Sequence, residues 1–322
     1  MSVDSSDAAA AGSTRPPASR ASRIALPLTI GIVAGVGGFH YGNALFLLTP
    51  LLIGAGAAWL PAGPEPSIGR CAWAGALLNA VMCGAFLLLG LEGLICIIMA
   101  APLVGVMGAV GGALGGLLRR RWERPPRASA LLVLLILPLL LAWDRPPVDP
   151  ATPIAVTTAV VVRAPAAAVW REVVAFSPIR DPPRGILAVG IAYPTHAVLR
   201  QDESGRMIRE CHFTTGAFIE PITAWEPPRH LAFDVAAQPP PMREIGPWDI
   251  HPPHLDGMLR SRRGEFRLTD LGDGTTRLAG TTWYTVEIAP LPYWRLWTDA
   301  IIHRIHERVL RHIAREAERN PR

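Results

Sequence analysis

The sequence predicts a membrane α-helical bundle joined to an α+β domain in which an antiparallel sheet wraps around a long C-terminal helix. Three observations predict it. Between Ile24 and Leu118 the only charged residues are Glu65, Arg70 and Glu92, whereas Ala151–Arg322 carries 21 Arg and 19 Asp plus Glu. Residues 275–288 alternate Leu278, Thr282, Tyr284, Val286 and Ile288 against Arg277, Thr281, Trp283 and Glu287, which is the two-residue period of a strand. After Ala289-Pro290-Leu291-Pro292 the chain runs from Tyr293 to Ala317 without Gly or Pro, enough for a helix of about seven turns.

At 322 residues there is room for two domains. All 31 basic residues are Arg, which excludes pyridoxal-phosphate chemistry on a Schiff-base lysine and any phosphate-loop lysine. The net charge of +5 divides into +3 before residue 151 and +2 after it, so the polar half is no nucleic-acid binder. Cys71, Cys83 and Cys96 lie in apolar runs and Cys211 stands alone in the polar half, leaving no Cys-x-x-Cys pair.

Met1–Arg23 is Ala, Ser, Pro and Arg with little to bury and reads as a disordered tail without the features of a signal peptide. Five apolar runs follow, with helices expected at about 24–40, 43–60, 71–90, 94–118 and 128–143. A bilayer core takes about 20 apolar residues, which the third and fourth runs supply outright. Turn clusters at 37–43 and 90–93 fold the first four into two hairpins. Arg15, Arg20 and Arg23 before the runs, and Arg119, Arg120, Arg121, Arg124 and Arg127 after the fourth, predict a cytoplasmic N-terminus and four crossings between them. A fifth crossing carries the rest of the chain to the outer side of the inner membrane. If 128–143 only lies along the bilayer, the C-terminal domain stays in the cytoplasm. Gly108, Gly112 and Gly116 recur at spacing four, which serves close helix packing inside this bundle or self-association of two chains. Glu92, in a turn, reads as an interfacial residue.

Residues 144–153 form a short Pro-rich linker. Residues 154–318 then read as strand (154–163), a helix opened by Pro165 with an apolar stripe of Val169, Trp170, Val173 and Val174, and strands near 197–201, 207–214, 218–225, 231–235 and 264–271. Asp273-Gly274 turns the chain into the final strand and helix.

The stretch Val160-Val161-Val162-Arg163-Ala164-Pro165-Ala166-Ala167-Ala168-Val169-Trp170 resembles the opening of the SRPBCC superfamily, which includes polyketide cyclase/dehydrase-like proteins. The run Gly264-Glu265-Phe266-Arg267-Leu268 through Thr282-Trp283-Tyr284 is similar to its ending. The resemblance covers about half the chain. It implies the START-like helix-grip fold, with a cavity between sheet and terminal helix, and it implies no particular reaction.

Several places could carry chemistry. Residues 236–258 form a Pro-rich excursion holding Trp248, His251, His254 and Asp256, read either as a stiff lid over the cavity or as a surface loop. On the terminal helix, Trp294, Trp297, Ile301, Ile305 and Val309 make an apolar stripe. Asp299, His303 and His306 gather on the opposite side as a hydrated face, a ligand anchor or a metal site, of which no metal is the expectation adopted. Tyr284 is expected to point at the helix and line the cavity, and Trp283 to point outward, where it could touch lipid headgroups. No nucleophile elbow and no Gly-x-Gly-x-x-Gly after a strand of the polar half is present. The expected function is a membrane-anchored binding domain for a hydrophobic or lipid-like small molecule, without cofactor. The alternatives are a cyclase-like or hydratase-like enzyme and a structural domain with a filled cavity.

Overall fold

The computed structural model describes residues 41–61, 67–121, 144, 152–248, 250, 252, 255 and 257–321. The N-terminal tail, the runs at 128–143 and 24–40, and most of the linker lie outside the described residues.

In the apolar half a π-helical turn, Ala44–Leu48, runs into α1 (Thr49–Ala57). The next helix, α2 (Ile68–Leu88), begins where the Ser67 hydroxyl accepts from the Arg70 amide, as an N-cap does. Gly90 turns the chain with φ 68° into α3 (Leu94–Arg121). Both α2 and α3 are long and apolar enough to cross a membrane. Of the two uses foreseen for the spaced glycines, the geometry describes internal packing. A Cβ on Gly108 would lie 2.4 Å from Asn79 Nδ2 and 2.9 Å from the Gly75 carbonyl, and one on Gly112 would lie 2.2 Å from the Cys71 carbonyl. Gly116 likewise faces Cys71. The buried Asn79 amide adds bonds to the Pro50 and Gly75 carbonyls at 3.1 and 2.9 Å. At the far end, Arg119 donates to the carbonyls of Ala58 and Pro61, satisfying acceptors just beyond α1. The outer faces, with Trp73, Leu77, Val81, Val106, Val110 and Leu114, are apolar and exposed.

The polar half is a seven-stranded antiparallel sheet gripping one long helix. Its strands are β1 (Ile154–Val162), β2 (Pro194–Gln201), β3 (Met207–Phe213), β4 (Gly216–Glu226), β5 (His230–Asp234), β6 (Leu259–Asp270) and β7 (Thr276–Val286). They lie in the order β1-β7-β6-β5-β4-β3-β2. After β1 comes α4 (Ala166–Val174), which starts at Pro165 and buries Val169, Trp170 and Val173 as its stripe predicts. A 3₁₀ turn, Gly185–Val189, precedes β2. The last helix, α5 (Leu291–Arg319), is about 44 Å long at 1.5 Å per residue.

That length lets α5 join two cores. Its second half places Val309, Leu310, Ile313 and Ala317 among Leu231, Leu268 and Leu278 of the sheet and Val169 and Val173 of α4. A buried aliphatic side chain of this size contributes roughly 1.5–3 kcal/mol. Its first half places Trp294, Trp297, Ile301 and Ile305 against Phe46, Ile95, Cys96 and Met99 of the apolar half, together with Leu187, Ile191, Met242 and Leu255. The apolar stripe is therefore covered, and its first half is covered by the N-terminal helices rather than by the sheet.

The opposite side of α5 differs from the hydrated reading. It lies on β1 and β7, where the sheet presents threonines. Thr158 Oγ1 is 2.8 Å from His303 Nδ1 and 3.1 Å from His306 Nδ1, and Thr282 Oγ1 is 2.8 Å from His306 Nε2. A polar helix face meets a polar strand face there, and all three residues are engaged by the sheet's hydroxyls, Asp299 by that of Tyr284. No group of three His, Cys, Asp or Glu side chains arranged to hold a metal occurs among the described residues.

Candidate functional site

Between the sheet and α5 lies a cavity of about 130 Å³. Five phenylalanines wall it (Phe176, Phe213, Phe218, Phe233 and Phe266), with Ile302, Ile305, Val309 and Leu310 from α5 on the other side. Into this apolar enclosure the sheet inserts two opposite charges.

Strand alternation explains how they come to be there. On β3, Arg209, Cys211 and Phe213 share the inner face; on β4, Phe218, Glu220 and Ile222 do. The β3–β4 register sets Arg209 directly opposite Glu220. Arg209 Nη1 donates to Glu220 Oε2, and the two side chains are only 2% and 7% exposed. The guanidinium carbon stands 5.5 Å from the ring centroids of Phe176, Phe233 and Phe266 alike, within cation–π range of all three. Arg209 Nε is buried and donates to nothing.

The electrostatics follow from the enclosure. Burial pushes the Glu220 carboxyl up, and the Arg209 guanidinium offsets part of that. Burial alone would lower Arg209, but Glu220 and Cys211 more than reverse it, so the guanidinium stays charged. Burial raises the Cys211 thiol to about 12, against the pull of Arg209, which keeps it an unreactive thiol.

His306 completes the polar lining. Burial, with His303 second, lowers its pKa to about 4, so the ring is neutral at pH 7. With one ring nitrogen donating and the other accepting, it bridges Thr158 and Thr282.

The other expected site residues fall elsewhere. Tyr284 does point at α5 but is wholly buried, donating to Asp299 Oδ1 at 2.6 Å, and does not line the cavity. Burial and then Asp299 raise its pKa. Asp299 Oδ2 also takes Arg295 Nε at 3.1 Å. His303 reaches Thr158 from the exposed side of α5. Trp283 is half-buried beneath Arg263, whose guanidinium carbon is 3.8 Å above its ring, so the outward Trp is covered.

His251, His254 and Asp256 lie outside the described residues. The described part of 236–258 does not roof the cavity; it straps the sheet domain to the apolar helices. Trp248, exposed, donates from Nε1 to the Leu88 carbonyl at 2.8 Å. Leu94 N donates to the Ile245 carbonyl at 2.9 Å, and Arg243 N to that of Gly190 at 2.9 Å. Glu244 accepts from the amides of Ile95 and Cys96 at 3.1 and 3.3 Å, capping the open donors at the start of α3. Glu244→Ala is expected to cost about 0.5–2 kcal/mol, the value of a lost N-cap. Denaturant titration of the detergent-solubilised chain measures it, and Glu244→Gln is expected to recover part of the loss.

Arg209 and Glu220 are the cavity-lining charges that reading the sequence passed over. A signal existed, because each sits at i±2 from apolar residues on its strand, which places a charge on the inner face.

No family model matches this chain, and no curated protein does. Solved structures similar to its C-terminal half include the Zhui aromatase/cyclase from Streptomyces sp. R1128, at 18% identity and a TM-score of 0.37, covering 53% of this chain and 97% of that one. The di-domain ARO/CYC BexL from the BE-7585A biosynthetic pathway aligns at 16% identity and a TM-score of 0.35, over 65% of this chain and 63% of its own. XoxI from Bacillus cereus aligns at 14% identity and a TM-score of 0.31, over 50% and 93%.

Proposed function

We propose that the sheet and α5 form a binding domain for a hydrophobic small molecule, held at a membrane by the apolar helices of the same chain. The observation that carries this reading is the cavity walled by five phenylalanines and by aliphatic side chains of α5, with the Arg209–Glu220 pair in its lining. Such a site favours an apolar body and fixes its orientation through one polar group. The exposed apolar faces of α2 and α3 support anchoring in lipid, from which a hydrophobic or lipid-like ligand would be taken up. The arginines flanking the apolar runs support a cytoplasmic N-terminus in the inner membrane, with a fifth crossing placing the domain outside.

A second reading, a cyclase-like or hydratase-like enzyme, is favoured by His306. It is a neutral imidazole in the cavity wall, which could accept a proton from a bound substrate by giving up the bond it accepts from a threonine.

The test is mass spectrometry of the full chain, purified from membranes and then denatured. One hydrophobic species at near-stoichiometric amount is the expected result. Nothing bound, together with no thermal shift across a panel of hydrophobic compounds, overturns the binding reading. Chemical change of the recovered species on incubation, lost in His306→Ala, would move the conclusion to the enzyme.

A further inference from the structure

We propose that the strap at 243–248 and the start of α5 lie in the headgroup layer of the bilayer, giving the sheet domain a lipid-contacting surface of its own. The proposal goes beyond the anchoring described above and rests on one part of it, the crossing of the membrane by α2 and α3. Depth comes first. A hydrocarbon core of about 30 Å takes roughly 20 helical residues at 1.5 Å each. Counted back along α3 from Leu118, which precedes Arg119, Arg120 and Arg121 of the last turn, that length ends at Met99. Residues 94–98 therefore stand above the core. Gly112 faces Cys71 and Gly108 faces Gly75, a register that sets Leu88 of α2 level with Ile95.

Four contacts fix the level of the sheet domain against these helices. The Ile245 carbonyl accepts from the Leu94 amide at 2.9 Å, and a Cβ on Gly190 would lie 2.8 Å from Ile95 Cδ1. Trp248 Nε1 donates to the Leu88 carbonyl at 2.8 Å, and the Tyr293 hydroxyl donates to the Met99 carbonyl. From Leu94 to Met99 the helix rises about 7.5 Å, close to the thickness of one headgroup layer. The side chains that this band turns outward are apolar. Trp248 is 59% exposed and Leu296, a helical neighbour of Tyr293 at i+3, is 70% exposed; Ile245 and Val189 are exposed as well. A Trp bonded through its N–H to a helix end, with its ring outward, stands where interfacial tryptophans stand. Arg243, exposed in the strap, brings a cation to the level of the lipid phosphates. Scattered singly, such residues would mean nothing; gathered at one level beside the exposed Leu88 and Leu89, they continue the lipid-facing surface of α2.

The test places the photoreactive amino acid p-benzoylphenylalanine singly at position 245, 296, 77 or 271 of the full chain, in nanodiscs of phosphatidylcholine and phosphatidylglycerol. Leu77 lies on the outer face of α2. Leu271 is exposed and apolar too, but sits in the β6–β7 turn, separated from the α5 end of β7 by about 33 Å of strand. After irradiation, mass spectrometry of the denatured chain reads covalent capture. A mass increase of one phospholipid is expected at 245, 296 and 77, and none at 271. Capture at 77 without capture at 245 and 296 overturns the lipid-contacting surface and leaves the anchoring reading standing. A crosslink from 245 or 296 to residues 24–40 or 128–143 of the same chain overturns lipid as what covers the band. Capture at 271 equal to that at 296 overturns the depth assignment. No capture at 77 removes the proposal and the anchoring reading together.

Discussion

Replacing Arg209 by methionine is expected to cost the folded protein about 3–5 kcal/mol, the range for removing one partner of a buried ion pair. The reason lies in what remains. Glu220 is held by the β3–β4 register inside a wall of phenylalanines, and Arg209 is the cation that acts on it. Its carboxyl, already pushed up by burial, loses the only neighbour that offsets the shift. The loss should be greatest at neutral pH and shrink as the pH falls, because the unpaired carboxyl can then take up a proton. R209M/E220M is expected to lie near the natural chain, since two apolar side chains of similar length replace a pair whose desolvation roughly cancels its attraction. Thermal unfolding of the three proteins in the same detergent checks both statements; a double variant as unstable as the single one would mean that the pair is needed for packing rather than for charge balance.

Acid is expected to weaken the fold through His306 by about 3 kcal/mol in total, at ~1.36 kcal/mol for each unit by which its pKa departs from the free value. The folded ring protonates near pH 4 because it is buried, whereas the unfolded ring does so near 6.5. Between those values the unfolded chain binds the extra proton. Stability is therefore flat above pH 6.5 and declines as the pH drops towards 4. His306→Gln keeps a donor and an acceptor for Thr158 and Thr282 but does not titrate, so the difference between the two stability curves isolates the histidine. His196 and His312 are lowered in the same direction by burial and cancel in that difference. A difference that does not change between pH 7 and 4.5 would show that the imidazole is hydrated in the folded state.

Every strand of the sheet was visible in the sequence, β1 by its β-branched residues and β7 by its two-residue period. β6 starts at Leu259 rather than near Gly264 because Leu259-Arg260-Ser261-Arg262-Arg263 is polar on both faces and shows no period. The site was less legible. Arg209 and Glu220 are charges in strands, and charge ordinarily marks the solvent side; only their apolar neighbours two residues away betray the inner face. The wheel of α5 separated an apolar from a polar face. It could not say that threonines of β1 and β7 would cover one, or that Phe46 and Ile95 would cover part of the other. The strap at 236–258 was opaque for the same reason, since Glu244 and Trp248 are defined by partners about 150 residues away.

The apolar seam along the first half of α5 has a further meaning for how the molecule must be handled. Trp294 and Ile95 share one apolar interface, so a chain cut at the linker would present a strip of aromatic and branched side chains where the helices had been. The two halves are, in that sense, a single folding unit despite their contrast in composition. Ile305 belongs to this seam and to the cavity wall at once. The cavity is thus bounded partly by a residue that also packs with the N-terminal helices.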